Sequence, residues 1–76
     1  MVADDRVRIE VAFDGGQVLA AFVPVSEADD LERALAQSGD GAFPLEADDG
    51  RYTVSLRRVV YVKRFMREGR VGFTAA

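Results

Sequence analysis

Tyr52-Thr53-Val54-Ser55-Leu56-Arg57-Arg58-Val59-Val60-Tyr61-Val62-Lys63-Arg64-Phe65-Met66 is the stretch on which the fold turns. Tyr52, Val54 and Leu56 point one way and Thr53 and Ser55 the other, the two-residue period of a strand with one buried face. Val59-Val60-Tyr61-Val62 is β-branched and aromatic, and its apolar residues spread around a whole helical wheel. A strand is therefore favoured over a basic amphipathic helix. Only Arg57-Arg58 interrupts the run, so it is placed to bend there and serve two sheets.

Upstream, the pattern predicts a hairpin and a helix. Val7, Ile9, Val11 and Phe13 alternate with Arg8, Glu10 and Ala12, and Asp14-Gly15-Gly16 is a turn signal. Val18 to Val25 is almost wholly apolar, which predicts a strand covered by a helix on one face and by strands or a partner chain on the other, with Pro24 marking an edge or strand end. The chain offers only one helix, which favours self-assembly. A helix is expected over 27–37. Ser26 is its expected N-cap, Asp29 completes a capping-box variant, Asp29 and Arg33 form an i,i+4 pair, and Gly39-Asp40-Gly41 ends it. Ala28, Leu31, Ala34 and Leu35 form the buried stripe. Ala42-Phe43-Pro44-Leu45 predicts a short strand, Asp48-Asp49-Gly50 a hairpin turn, and Val71-Gly72-Phe73 a last strand after a turn at 67–70.

The resulting order is β-β-α-β-β-β in one α+β, mainly β, domain over residues 1–76, with residues 1–5 expected to be a disordered tail. Two architectures accept it: a small bent antiparallel sheet closing into an SH3-like or Sm-like barrel with one inserted helix, or a β-grasp sheet crossed by the helix. The barrel is preferred. Leu31, Leu35, Phe13, Phe22, Val54 and Val60 are the expected core.

Phe43-Pro44-Leu45, Asp49-Gly50-Arg51, Val60-Tyr61-Val62 and Arg70-Val71-Gly72-Phe73 occur in an order that resembles a family of short uncharacterised proteins of high-GC Gram-positive bacteria. In that family a strand pair and a helix precede a turn, a Tyr-Val strand and a closing Val-Gly-Phe. The resemblance implies a bacterial source and brings no assigned activity. The rhythm Gly50, Tyr52, Val54, Leu56, Val59, Tyr61, Val62 resembles Sm-like small barrels, which bears on fold and not on function.

Composition narrows the chemistry. With 76 residues, no Cys and no His, the chain has no disulfide, no thiolate or imidazole metal ligand and no imidazole base. The apolar runs are too short to span a bilayer and the acidic start is unlike a signal peptide, so a soluble cytoplasmic protein is expected. The net charge of −3 hides a division. Residues 1–50 carry twelve acids against three bases, net −9, and residues 51–76 carry seven bases against one acid, net +6. Such asymmetry serves an anionic partner or two surfaces that attract each other.

No catalytic, cofactor or metal site is expected. Asp40, Asp48 and Asp49 lie in Gly-containing turns that could bring them to one end of the domain, but their spacing matches no EF-hand loop. The glycines form no phosphate loop, and a Ser55–Lys63 dyad is less simple than two outward-facing strand residues. No small-molecule substrate and no membrane contact are indicated. The candidate interaction surface is Arg57, Arg58, Lys63, Arg64, Arg67 and Arg70, interleaved with Tyr61 and Phe65, and Val71 and Phe73 are candidates for edge pairing. The expected function is non-enzymatic protein interaction or homo-oligomerisation. Single-stranded nucleic acid binding is the alternative, disfavoured by a pI near 4.8.

Overall fold

A computed structural model describes residues 5–66. The expected strand Val71–Phe73, with Arg67 and Arg70, lies outside the described residues. The elements run β1 (Arg6–Phe13), β2 (Val18–Pro24), α1 (Val25–Gln37), β3 (Ala42–Ala47), β4 (Gly50–Ser55), a 3-10 turn (Leu56–Arg58) and β5 (Val59–Arg64). All pairing is antiparallel, in one three-stranded sheet of order β2-β1-β5 and one hairpin β3-β4.

The decisive stretch does bend. Leu56 is buried at the turn and pins the corner, and the strands on its two sides belong to different sheets. The α+β class therefore stands, but the described residues do not close into a barrel. The helix inserted after β2 packs against β1, β2 and β3 together, and the hairpin, though it touches β2, pairs only within itself as a separate sheet. The hairpin reaches the larger sheet's edge at its tip, where the Asp48 N–H donates to the Phe22 carbonyl at 2.9 Å. The β-grasp alternative fails as well, because the strands divide between two sheets and β1 runs antiparallel to β5.

The helix begins earlier than expected and is capped differently. Its first residue is Val25, it follows Pro24 directly, and no side chain caps it. The Val25 N–H donates to the Asp5 carbonyl at 3.1 Å, so the backbone preceding β1 satisfies the first orphan donor of a helix that starts one residue before Ser26. Asp5 is thus held in place, contrary to the expected disorder of that residue. At the other end Gly39, with φ of 63°, takes the left-handed conformation that ends a helix, as Gly39-Asp40-Gly41 foretold.

One layer of core lies between the sheet, the helix and the hairpin. Ile9, Val11, Ala21, Val23, Ala28, Leu31, Leu45, Val54 and Leu56 form it. Leu31 and Val54 stand as expected, while Leu35 and Phe13 are only partly buried against the cluster. Phe22 and Val60 are exposed at 53% and 64%. Phe22 faces outward because the single helix covers one face of the sheet only, so β2 is not covered on both sides. Val60 escapes because the register slips between Ala12 and Phe13: Tyr61 pairs with Ala12 and Val59 with Phe13, leaving Val60 as the extra residue of a bulge.

Candidate functional site

The basic residues of the second half leave the bend in three directions. Arg57 and Arg58 occupy the 3-10 turn, where Arg57 Nε lies 4.0 Å from Asp40 and Arg58 Nη2 lies 3.3 Å from Asp14. Lys63 sits on the outer face of the sheet, opposite Glu10 in register. Arg64 turns to the helix side, its Nη2 at 2.8 Å from Asp29 Oδ1 and 3.1 Å from Glu32 Oε2. These four do not share a face, and Arg57, Arg58 and Arg64 each meet a carboxylate of the acidic first half. The charge division read from the sequence is therefore answered in part within one chain.

Arg64 is the most structured of these contacts. Asp29 and Glu32 stand three residues apart, so they lie on one flank of α1 and together clasp the guanidinium. The hydrogen bond to Asp29, reinforced by the charge of Glu32, raises the Arg64 pKa above its ordinary value. Because Asp29 is committed to β5, Arg33 pairs with Asp30 at 2.7 Å instead of with Asp29 as expected. Arg64→Glu places three acids together and should cost on the order of 1–2 kcal/mol. Reversing Asp29 and Glu32 to lysine in the same chain should recover most of it. Urea denaturation of the three proteins tests this, and equal midpoints would show that the clasp carries no stability.

The outer face of the three-stranded sheet bears the apolar side of β2 that one helix cannot cover, and it carries Phe22, which was expected in the core. Val18 and Tyr61 flank Ala12 in one cross-strand row, and Phe22 stands opposite Arg8 in another. Val18, Phe22 and Tyr61 are each about half exposed, at 54%, 53% and 50%. The β5 direction continues into Phe65, whose N–H donates to the Arg8 carbonyl at 2.9 Å. Its ring receives two cations, Arg8 Cζ at 4.4 Å and Lys63 Nζ at 4.5 Å from the centroid. Val7, Phe22, Val25, Phe65 and Met66 wall a shallow groove at this end, rimmed by Asp5, Arg6 and Arg8. The signal was present in the parity of β2, where Val18, Ala20 and Phe22 share one side, but parity alone does not say which side goes uncovered.

The turn acids do not converge. Asp48 and Asp49 lie at the β3–β4 tip and Asp40 precedes β3 at its opposite end. No group of three or more acids able to hold a metal ion occurs among the described residues. Asp49 instead accepts a hydrogen bond of 2.6 Å from the Tyr52 hydroxyl, which raises the Tyr52 pKa above 10.0. Stability from this bond is present below the ordinary phenol pKa and is lost as pH rises through the raised one. Asp49→Asn should move one phenol's ultraviolet titration to lower pH, and an unchanged curve would show the bond does not persist in solution. Ser55 and Lys63 lie in different sheets.

No helix among the described residues is long and apolar enough to cross a membrane. Comparison with protein-family models, with curated proteins and with solved structures finds no match.

Proposed function

We propose that this protein is a non-enzymatic module that acts by protein interaction, chiefly by assembling with copies of itself. The half-exposed apolar residues of the outer sheet face carry the proposal: Val18 and Tyr61 flank Ala12, and Phe22 stands two rows along opposite Arg8, with Glu10 and Lys63 in the row between. Large apolar side chains gathered on one exposed face, with charges around them, are the composition of a contact surface. The intrachain pairing of Arg57, Arg58 and Arg64 further supports protein contact over nucleic acid, since these guanidinium groups already meet carboxylates. The cysteine-free composition supports a cytoplasmic setting.

Sedimentation velocity across a concentration series, with and without a short single-stranded RNA at low salt, tests the proposal. The expected result is a mass that rises with protein concentration and RNA binding no tighter than micromolar. A monomer at every concentration would remove the self-assembly reading. A nanomolar RNA complex that weakens steeply with salt would establish the nucleic-acid alternative in its place.

A further inference from the structure

Four strand edges border the two sheets, and three of them are occupied or blunted. On the outer edge of β2 the Phe22 carbonyl accepts the Asp48 N–H. On that of β3 the Glu46 N–H donates to the Glu27 carboxylate at 3.0 Å, and Pro44 has no donor to offer. β4 exposes Arg51, Thr53 and Ser55, polar residues that discourage pairing. The edge of β5 is different.

The Phe65-to-Arg8 bond shows that Phe65 directs its backbone toward β1, and by alternation Lys63 and Tyr61 do the same. Val62 and Arg64 therefore turn their N–H and C=O groups outward, where no strand lies among the described residues. This edge has no proline, and it displays Val60 and Tyr61 at 64% and 50% exposure. An open edge that is apolar over residues 59–62, with its charges confined to Lys63 and Arg64 at the end, is a template for another strand that can answer those charges.

Resting on the self-assembly reading above, we propose that its occupant is β5 of a second copy, antiparallel about a two-fold axis at Val62. The two three-stranded sheets then join as one six-stranded sheet. The register follows from self-complementarity, which a two-fold interface requires. With Val62 opposite Val62, Val60 falls opposite Arg64 and Tyr61 opposite Lys63 of the second copy. No like charges face each other. Tyr61 and Lys63 form the pair without mutual backbone bonds, the one whose side chains stand closest, so the ammonium lies on the phenol ring. Lys63 already rests on an aromatic ring, that of Phe65, within its own chain. A register centred on Lys63 would set lysine against lysine, and one centred on Tyr61 would leave the ammonium opposite Val59.

Three variants of the full chain, measured by sedimentation equilibrium and circular dichroism, test the interface. Tyr61→Lys sets lysine opposite lysine and should raise the dissociation constant roughly tenfold or more. The exchanged double variant Tyr61→Lys with Lys63→Tyr keeps the composition, restores the cross-strand pair and should return the dissociation constant to near wild type. Val62→Pro removes an N–H that no bond among the described residues uses, so the protein should keep its dichroism and become monomeric. If Val62→Pro fails to fold, the Tyr61 and Lys63 exchange decides alone. Oligomers indifferent to these variants would overturn the β5 interface while leaving self-assembly intact. A wild-type monomer would overturn both, and slow exchange of its Val62 N–H would assign the edge to another segment of the same chain.

Discussion

Leu31→Ala should remove on the order of 3–4 kcal/mol of folding free energy and leave much of the population unfolded at room temperature. Leu31 is fully buried on α1 beside Ala28, and it packs into the cluster formed by Ile9, Val11 and Val23 from the sheet and Leu45 from the hairpin. Removing its branched end leaves a cavity between three elements that cannot all collapse toward it. A domain of this size has little stability to spare, because so small a body buries a modest share of its surface. Urea denaturation should show a lower midpoint at constant slope. Leu35→Ala is the comparison: the residue is only partly buried, so its loss should cost about 1 kcal/mol. Equal effects at the two positions would show that the helix is rotated from the orientation described.

Leu45→Ala should cost about 3 kcal/mol and act first on one part of the molecule. Leu45 is the fully buried anchor of the β3–β4 hairpin, opposite Tyr52 in register and diagonal to the buried Val54. Apart from this apolar contact, the hairpin is held by the Asp48 N–H on Phe22, the Glu27 carboxylate on the Glu46 N–H, and the ion pair of Arg6 with Asp48 at 3.0 Å. A two-stranded ribbon is not stable alone. Native-state hydrogen exchange should therefore show the amides of 42–55 losing protection before those of β1 and β2. Uniform loss across both sheets would mean that the hairpin and the larger sheet unfold as a single unit.

Much of the fold was legible because its signals are local. Alternation marked β1 and β4, a helical stripe at Ala28 and Leu31 marked α1, and Arg57-Arg58 marked the bend. What escaped was set by distant partners. The helix start depends on the Asp5 carbonyl, twenty residues earlier in the chain, and no cap motif near Ser26 records that. The exposure of Val60 depends on one unpaired residue in a ladder with β1, which reverses the facing that strict alternation assigns. The exposure of Phe22 depends on how many layers the chain has to spend, and one helix covers one face. The candidate site was legible as a set of basic residues but not as a geometry. Residues adjacent in sequence, Lys63 and Arg64, point to opposite faces of a strand, and only the helix flank carrying Asp29 and Glu32 decides what Arg64 does.

The pairing of β1 with β5 also sets an order on the ribosome. β1 is the central strand of its sheet, yet one of its neighbours, β5, is the latest in the chain of the described strands. While residues 1–50 emerge, β1 and β2 can close as a hairpin, but the other side of β1 has no partner. The nascent segment carries net charge −9 during that interval. Its mutual repulsion keeps neighbouring nascent chains apart while a hydrophobic edge stands unpaired. Arrival of Val59–Arg64 supplies the missing strand, and Arg64 brings to Asp29 and Glu32 the countercharge they had lacked. Completion of the sheet and relief of the acidic excess are thus one late event, and such end-to-end pairing favours slow folding for a domain this short.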